Sequence, residues 1–253
     1  MSGREEVAER GPVDRENPGH GAGLLEGFDR TAVFATAVAF SAFQIYTAAF
    51  SPLSSIVLRS LHVGFLLLLC FLVFDLRHGR LRRRIPWHDW LLGGLGFALS
   101  FYHWVFEAEL IQRAGDPTMA DLAVGMLTVA LVVEAARRAM GPALPVFCLA
   151  FVPYALFGRQ LPDFMMHRGF DLAQVIDQLY LGTEGIYGTP IFVSATFIFL
   201  FILFGTFLER AGMIQLFNDV ALGTVGHQHG GPAKVSVVSS GFMGTINGSG
   251  VAN

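Results

Sequence analysis

The sequence predicts an all-α, polytopic integral membrane protein, and three observations carry that prediction. Hydrophobic residues make up 53% of the 253 and charged residues only 15%, with a mean hydropathy of +0.53, whereas about a quarter of an ordinary soluble domain is charged. Phenylalanine occurs 24 times and lysine once, at Lys234, so apolar surface is plentiful and solvated surface scarce. The apolar residues also fall into separate runs that approach the roughly 20 residues a helix needs to cross a bilayer. A net charge of -3, with no basic patch away from the flanks of these runs, leaves no footprint for nucleic acid. Cys70 and Cys148 each sit inside an apolar run, where a thiol behaves as a small hydrophobe.

Residues 1–30 mix acids with bases, contain no signal-peptide core and read as a disordered cytoplasmic tail. The first span is about Ala32 to Phe50, uncharged and with one amide, Gln44. Ser51-Pro52 turns the chain into a second span that reaches about Phe74. Near its start Arg59 and His62 stand three residues apart and share a helix face. Their simple reading is an interfacial anchor with Arg59 snorkelling, and a contact with a partner or headgroup is the alternative. Arg77, Arg80, Arg82, Arg83 and Arg84 follow, closed by Pro86-Trp87-His88-Asp89-Trp90. Such a loop belongs in the cytoplasm, with its tryptophans at headgroup depth.

A third span, about Trp90 to Phe106, leads outward to a mixed turn holding Glu107, Glu109, Arg113 and Asp116. The fourth, about Met119 to Val133, returns to Glu134, Arg137 and Arg138 inside. A short fifth span, about Pro142 to Phe157, carries Pro145 and Pro153 and is expected to kink. In the outer segment that follows, Asp171 can cap a helix whose Leu172, Val175, Ile176, Leu179 and Tyr180 recur at helical spacing. That helix either lies along the interface or packs on the bundle as a connector. Pro190 opens the sixth span, which runs to Leu208 and ends at Glu209-Arg210. Basic residues flanking the inner ends outnumber Arg113, Arg159 and Arg168 on the outer ends, which sets the N-terminus in the cytoplasm.

The stretch from Gly205 to Asn253 is the one the earlier spans serve. It passes a polar turn at His227 to Pro232, becomes apolar again at Val235 and is expected to break at Gly244 to Gly250. About twelve residues lead from Val235 to Gly248, which at roughly 1.5 Å each reaches the bilayer midplane. Irregular backbone at that depth has to be buried in protein or line a cavity, and transporters bind ions and substrates in such places. A half-helix from Ala233 to Ile246 would aim its unpaired carbonyls and the negative end of its dipole inward, which favours a cation. Gly244, Gly248 and Gly250 let the backbone open there, and Thr245, Asn247 and Ser249 supply hard oxygen ligands. A flexible Gly/Ser loop is the plain alternative.

No enzyme is expected. His227-Gln228-His229 has no carboxylate or thiol beside it, Gly248-Ser249-Gly250 lacks the Gly-x-Ser-x-Gly spacing of a nucleophile elbow, and no phosphate-binding loop is present.

Gly230-Gly231-Pro232-Ala233-Lys234-Val235 followed by Gly244-Thr245-Ile246-Asn247-Gly248-Ser249-Gly250-Val251-Ala252-Asn253 resembles the first re-entrant hairpin of the large membrane subunit of TRAP transporters. The fused permeases that work with TAXI-type binding proteins are the most similar group. Thr183-Glu184-Gly185-Ile186-Tyr187-Gly188 and Val193-Ser194-Ala195-Thr196-Phe197, running into Phe204 to Gly212, match the same family. The resemblance covers about residues 31–253 and is strongest after Asp171. Asn247 and Gly250 depart from it, standing where the family usually has serines.

The resemblance implies three regions: the tail at 1–30, a small-subunit-like scaffold at 31–118, and the start of a large-subunit-like transport region at 119–253. It further implies a Na⁺-coupled secondary transporter of the bacterial inner membrane, importing an organic acid delivered by a periplasmic TAXI-type binding protein. Asn247, Gly248, Ser249 and Gly250 would then form the ion- and substrate-binding tip, with Na⁺ at Asn247 and Ser249 and no other cofactor. Transporters of this plan carry a second, inverted half with a matching hairpin, so the sequence reads as an N-terminal fragment that stops within the first. A non-transporting scaffold or partner-binding subunit is the alternative.

Overall fold

The computed structural model describes residues 25–76 and 84–247, and their regular structure is helical throughout. Helices α1 (Gly27–Phe50) and α2 (Ser55–Val73) are joined at Ser51, whose φ of 44° turns the chain sharply and whose N–H closes on the Thr47 carbonyl at 2.9 Å. Ser54 caps α2, its Oγ accepting from the Val57 N–H. Helix α3 (Trp87–Ser100) packs closely along α2. A Cβ at Gly64 would lie 2.3 Å from Ser100 Oγ, so the contact requires glycine there, and small residues serve membrane helix packing in this way.

The third apolar run is not one helix. It bends at Phe101 and Phe106 into two short pieces, α4 (Tyr102–Val105) and α5 (Glu107–Gln112). Helix α6 (Met119–Met140) starts from a capping box between Thr118 and Asp121. Gly141, at φ 85°, ends it and leads into α7 (Ala143–Leu156), which holds Pro153. Then come α8 (Leu172–Ile176) with a π-helical turn at Asp177–Leu181, and α9 (Thr189–Val193), which passes through a second π turn at Ser194–Ile198 into α10 (Phe199–Arg210). Helices α11 (Met213–Val225) and α12 (Gly231–Asn247) follow.

Among the described residues, four helical runs are long and apolar enough to cross a membrane: Gly27–Phe50, Ser55–Val73, Met119–Met140 and Thr189–Arg210. The other two expected spans correspond to α3 and α7, each 14 residues long, or roughly 21 Å at helical rise. The basic loop expected to fix the orientation lies outside the described residues except for the exposed Arg84.

The core is built on α2 and α6, through Val63, Leu67, Phe71, Leu131 and Ala135, and it is closed by Tyr180 and Tyr187 from the segment after α8. The amphipathic helix expected after Asp171 therefore forms, but as a packed connector against α6 and α7. Val175, Ile176 and Tyr180 are buried, whereas Leu172, expected on the same face, opens α8 and is 46% exposed. A Cβ at Gly125 on α6 would meet Ile176 Cγ2 at 2.6 Å and the Tyr180 ring at 3.0 Å. Gly125→Leu is accordingly expected to lift α8 off α6 and cost about 1–3 kcal/mol. Thermal melting of the detergent-solubilised protein measures it, and an unchanged melting temperature would refute the packing.

Candidate functional site

Polar groups inside a membrane bundle need partners within the protein. Apart from Asp121, which Tyr102, Arg113 and Thr118 satisfy at the start of α6, several collect on one seam, where α1 to α3 meet α6, the 182–188 loop and the α9–α10 run, and they form three tiers.

The first tier sits near the Ser55 end of α2. Arg59 donates through Nη1 to the Tyr187 carbonyl at 2.6 Å and through Nη2 to Ser55 Oγ at 2.9 Å, with its guanidinium 4.6 Å above the Phe192 ring. Beneath it Ser60 Oγ donates to the Ser100 carbonyl at 2.7 Å, and the His103 ring packs against Tyr180 and Tyr187. Burial pushes both tyrosine hydroxyls up, Tyr187 to about 12, so neither ionises at physiological pH. The side chain expected to snorkel is therefore a clasp between elements.

The second tier lies less than one turn further along α2, at His62. In the π turn the Phe199 N–H reaches back to the Ser194 carbonyl, five residues away, and the wider turn leaves the next carbonyl accessible from outside the helix. Gln44 of α1 takes it, donating from Nε2 to the Ala195 carbonyl at 2.8 Å. His62 Nε2 shares a 3.1 Å hydrogen bond with Ser194 Oγ. Phe40 packs on His62 and on Phe199, sealing the site with apolar rings. Arg59 and His62 do share a face, as their spacing requires, and that face meets the 187–195 segment.

The third tier is ionic and joins the start of α3 to the end of α6. Arg138 donates to Asp89 at 2.6 Å and to Glu134 at 2.7 Å, and it stacks 4.9 Å from the Phe71 ring. Arg137 bonds Glu134 and reaches the Leu76 carbonyl at 3.2 Å. Arg138 and Asp89 are 1% and 0% exposed. The fourth span, expected to end about Val133, continues as α6 to Met140, and this extension carries Arg138 from the expected inner flank under α3.

The expected ion-binding tip is placed only in part. Helix α12 covers the half-helix expected from Ala233 to Ile246, running through Gly241 and Gly244 to Asn247, and the rest of the break expected at Gly244 to Gly250 lies outside the described residues. A glycine costs a helix about 1 kcal/mol, which need not end it. Thr245 and Asn247 fall within α12, while Gly248, Ser249 and Gly250 lie outside the described residues. The sequence reading left residues 213–225 unassigned. They form α11, which lies beside α12 through stacked Phe217 and Phe242 and a hydrogen bond from Ser239 Oγ to Asn218 Oδ1. Their joint is tight, since a Cβ on Gly231 would meet the Gly226 carbonyl oxygen at 2.1 Å. Leu216, Phe217, Val220 and Ala221 recur at helical spacing and were the available signal.

Long apolar helices held together by buried polar clasps define the class, a multi-pass membrane protein. Residues 127–253, half of the chain, match the family described as tripartite ATP-independent periplasmic transporter, DctM component. The chain belongs to that family, which is one of transporter components that work with a periplasmic binding protein. No curated protein and no solved structure matched it. The match begins inside α6, so each tier of the seam ties a residue before it (Arg59, Gln44, His62, Asp89) to residues within it.

Removing Asp89 takes one carboxylate from the buried Arg138, which keeps Glu134, and stranding a buried charge outright, at about 3–5 kcal/mol, is the upper bound of the cost. Asp89→Ala is expected to lower the melting temperature most of all the seam variants. Gln44→Leu, which strips a buried carbonyl of its donor, should cost about 1–3 kcal/mol. Melting of the two purified variants beside the wild type decides both, and wild-type stability of either would show that the corresponding tier bears no load.

Proposed function

We propose that this protein is the membrane permease component of a Na⁺-coupled secondary transporter that imports an organic acid handed over by a TAXI-type periplasmic binding protein at the inner membrane. The observation that carries the reading is the family match, which extends over α12 and the tip sequence to residue 253. In this reading residues 31–118 act as scaffold and residues 119–253 belong to the transport region. Helix α12 brings the negative end of its dipole toward the tip, where Thr245, Asn247 and Ser249 offer oxygens and Gly248 and Gly250 give the backbone freedom to turn its carbonyls to the ion. Import runs on the Na⁺ gradient through alternating access, with the tip region moving against the scaffold.

The test is uptake of labelled organic acids into cells or vesicles holding the permease as its gene encodes it, with its binding protein, at varied Na⁺. Uptake is expected to saturate with Na⁺. Ser249→Ala, or a bulky residue at Gly248, should raise the half-saturating Na⁺ concentration by roughly an order of magnitude, equivalent to about 1.4 kcal/mol. Uptake that is indifferent to Na⁺ would overturn the coupling, and a normal Na⁺ dependence in both variants would remove the tip from the mechanism.

A further inference from the structure

A groove of about 500 Å³ opens between α7 and residues 168–179, well within the range of small-ligand sites, roughly 300–1,000 Å³. It lies toward the Leu156 end of α7, the end remote from the Arg137–Arg138 cluster that precedes the helix. Its two walls differ in chemistry. Helix α7 contributes Phe151, Val152 and Ala155, an apolar wall on a helix that exposes large hydrophobic residues along most of its length. The facing wall contributes Arg168, Gln174, Asp177 and Gln178.

Arg168 and Asp177 carry opposite charges and line the same groove, yet they do not pair with each other, and neither forms an ion pair with another described residue. The Arg168 guanidinium rests 5.0 Å over the Phe170 ring, which holds its charge at the groove without neutralising it. An anion alone would meet Asp177, and a cation alone would meet Arg168. A molecule that carries both charges at a distance from each other, and a long apolar tail, meets all three features at once.

We infer that this groove binds a zwitterionic phospholipid with a primary-amine headgroup. Its phosphate would be held by Arg168, its ammonium would donate to the Asp177 carboxylate, and one acyl chain would run along Phe151, Val152 and Ala155. Gln174 and Gln178 can donate to the phosphate or ester oxygens. Phosphatidylcholine offers the same phosphate and tails but no N–H, so it separates the ammonium contact from the rest.

The experiment titrates the full-length protein, purified in detergent, with phosphatidylethanolamine, phosphatidylcholine, phosphatidylglycerol and tail-less glycerophosphoethanolamine, reading bound lipid by native mass spectrometry and stability by thermal melting. Phosphatidylethanolamine is expected to bind most tightly and glycerophosphoethanolamine least. A charge-assisted hydrogen bond contributes enough that its loss weakens binding about tenfold. Asp177→Asn should therefore remove the preference for phosphatidylethanolamine over phosphatidylcholine, while Arg168→Ala should weaken every phospholipid. Both positions are at the protein surface, so the variants should melt like the wild type without lipid. Ala155→Trp, which fills the apolar wall, is a second probe and should reduce binding of all tailed lipids. Equal binding of phosphatidylethanolamine and phosphatidylcholine, a preference that survives Asp177→Asn, or equal binding of the tail-less compound would each overturn the assignment.

Discussion

A buried polar group in hydrocarbon has no water to turn to, and that constraint organises this molecule. Asp89, Arg138, Gln44, His62 and Ser60 are all buried at a few per cent exposure or less, and all sit where two helices can satisfy each other. Each clasp supplies what its neighbour lacks: Arg138 has a carboxylate on α3 and another on its own helix, and Arg59 has a loop carbonyl and an aromatic face. Dispersion and close glycine packing hold α2 on α3, but neither would choose one rotational setting of α6 or α10 against them. Directional bonds do, because a rotation of the helix by one residue carries the partner atom out of reach. Such pairs are better at selecting an arrangement than at stabilising it, since desolvation offsets much of the attraction.

The π turn at Ser194–Ile198 follows from the same constraint. Widening one turn of a membrane helix leaves a carbonyl that an α-helix would have satisfied internally, and in lipid that is tolerated only with a substitute donor. Gln44 is the substitute. Its amide is the one such group on α1's apolar run, and it lies opposite the Ala195 carbonyl with His62 beside the neighbouring Ser194. The π turn and α1 are therefore one unit: without Gln44 the wide turn would lose its compensation, and without the wide turn Gln44 would be a stranded amide.

The fold class, the four long spans and the connector after Asp171 were legible in the sequence because each rests on a local signal: apolar length, helical spacing or a cap. The pairing of Arg59 with His62 on one face was legible for the same reason. What that face touches was not, since Tyr187 and Ser194 lie more than a hundred positions away and no local pattern encodes the contact. The burial of Arg138 was not legible, because its neighbour Arg137 is part-exposed and a charge count does not distinguish the two. The bends at Phe101 and Phe106 escaped because no proline or glycine marks them. Helix α12 passes through Gly244 for the converse reason: glycine marks a permissible break, and whether the chain breaks depends on contacts that propensity does not contain.

These contacts also divide the chain into parts of unequal hold. From α1 to α10 the seam fixes neighbours by charge-assisted and buried hydrogen bonds, and separating them would strand several polar groups at about 1–3 kcal/mol each or more. Helices α11 and α12 are held to each other by the Phe217–Phe242 stack and the Ser239–Asn218 bond. Toward the rest they pack on α10 beyond Gly212, whose φ of 91° is a conformation that only glycine adopts freely. Displacing the pair from α10 leaves the clasps of the seam intact. Helices α11 and α12 are thus held mainly by each other and by packing on α10, where α1, α2, α3, α6 and the α9–α10 run are held by clasps.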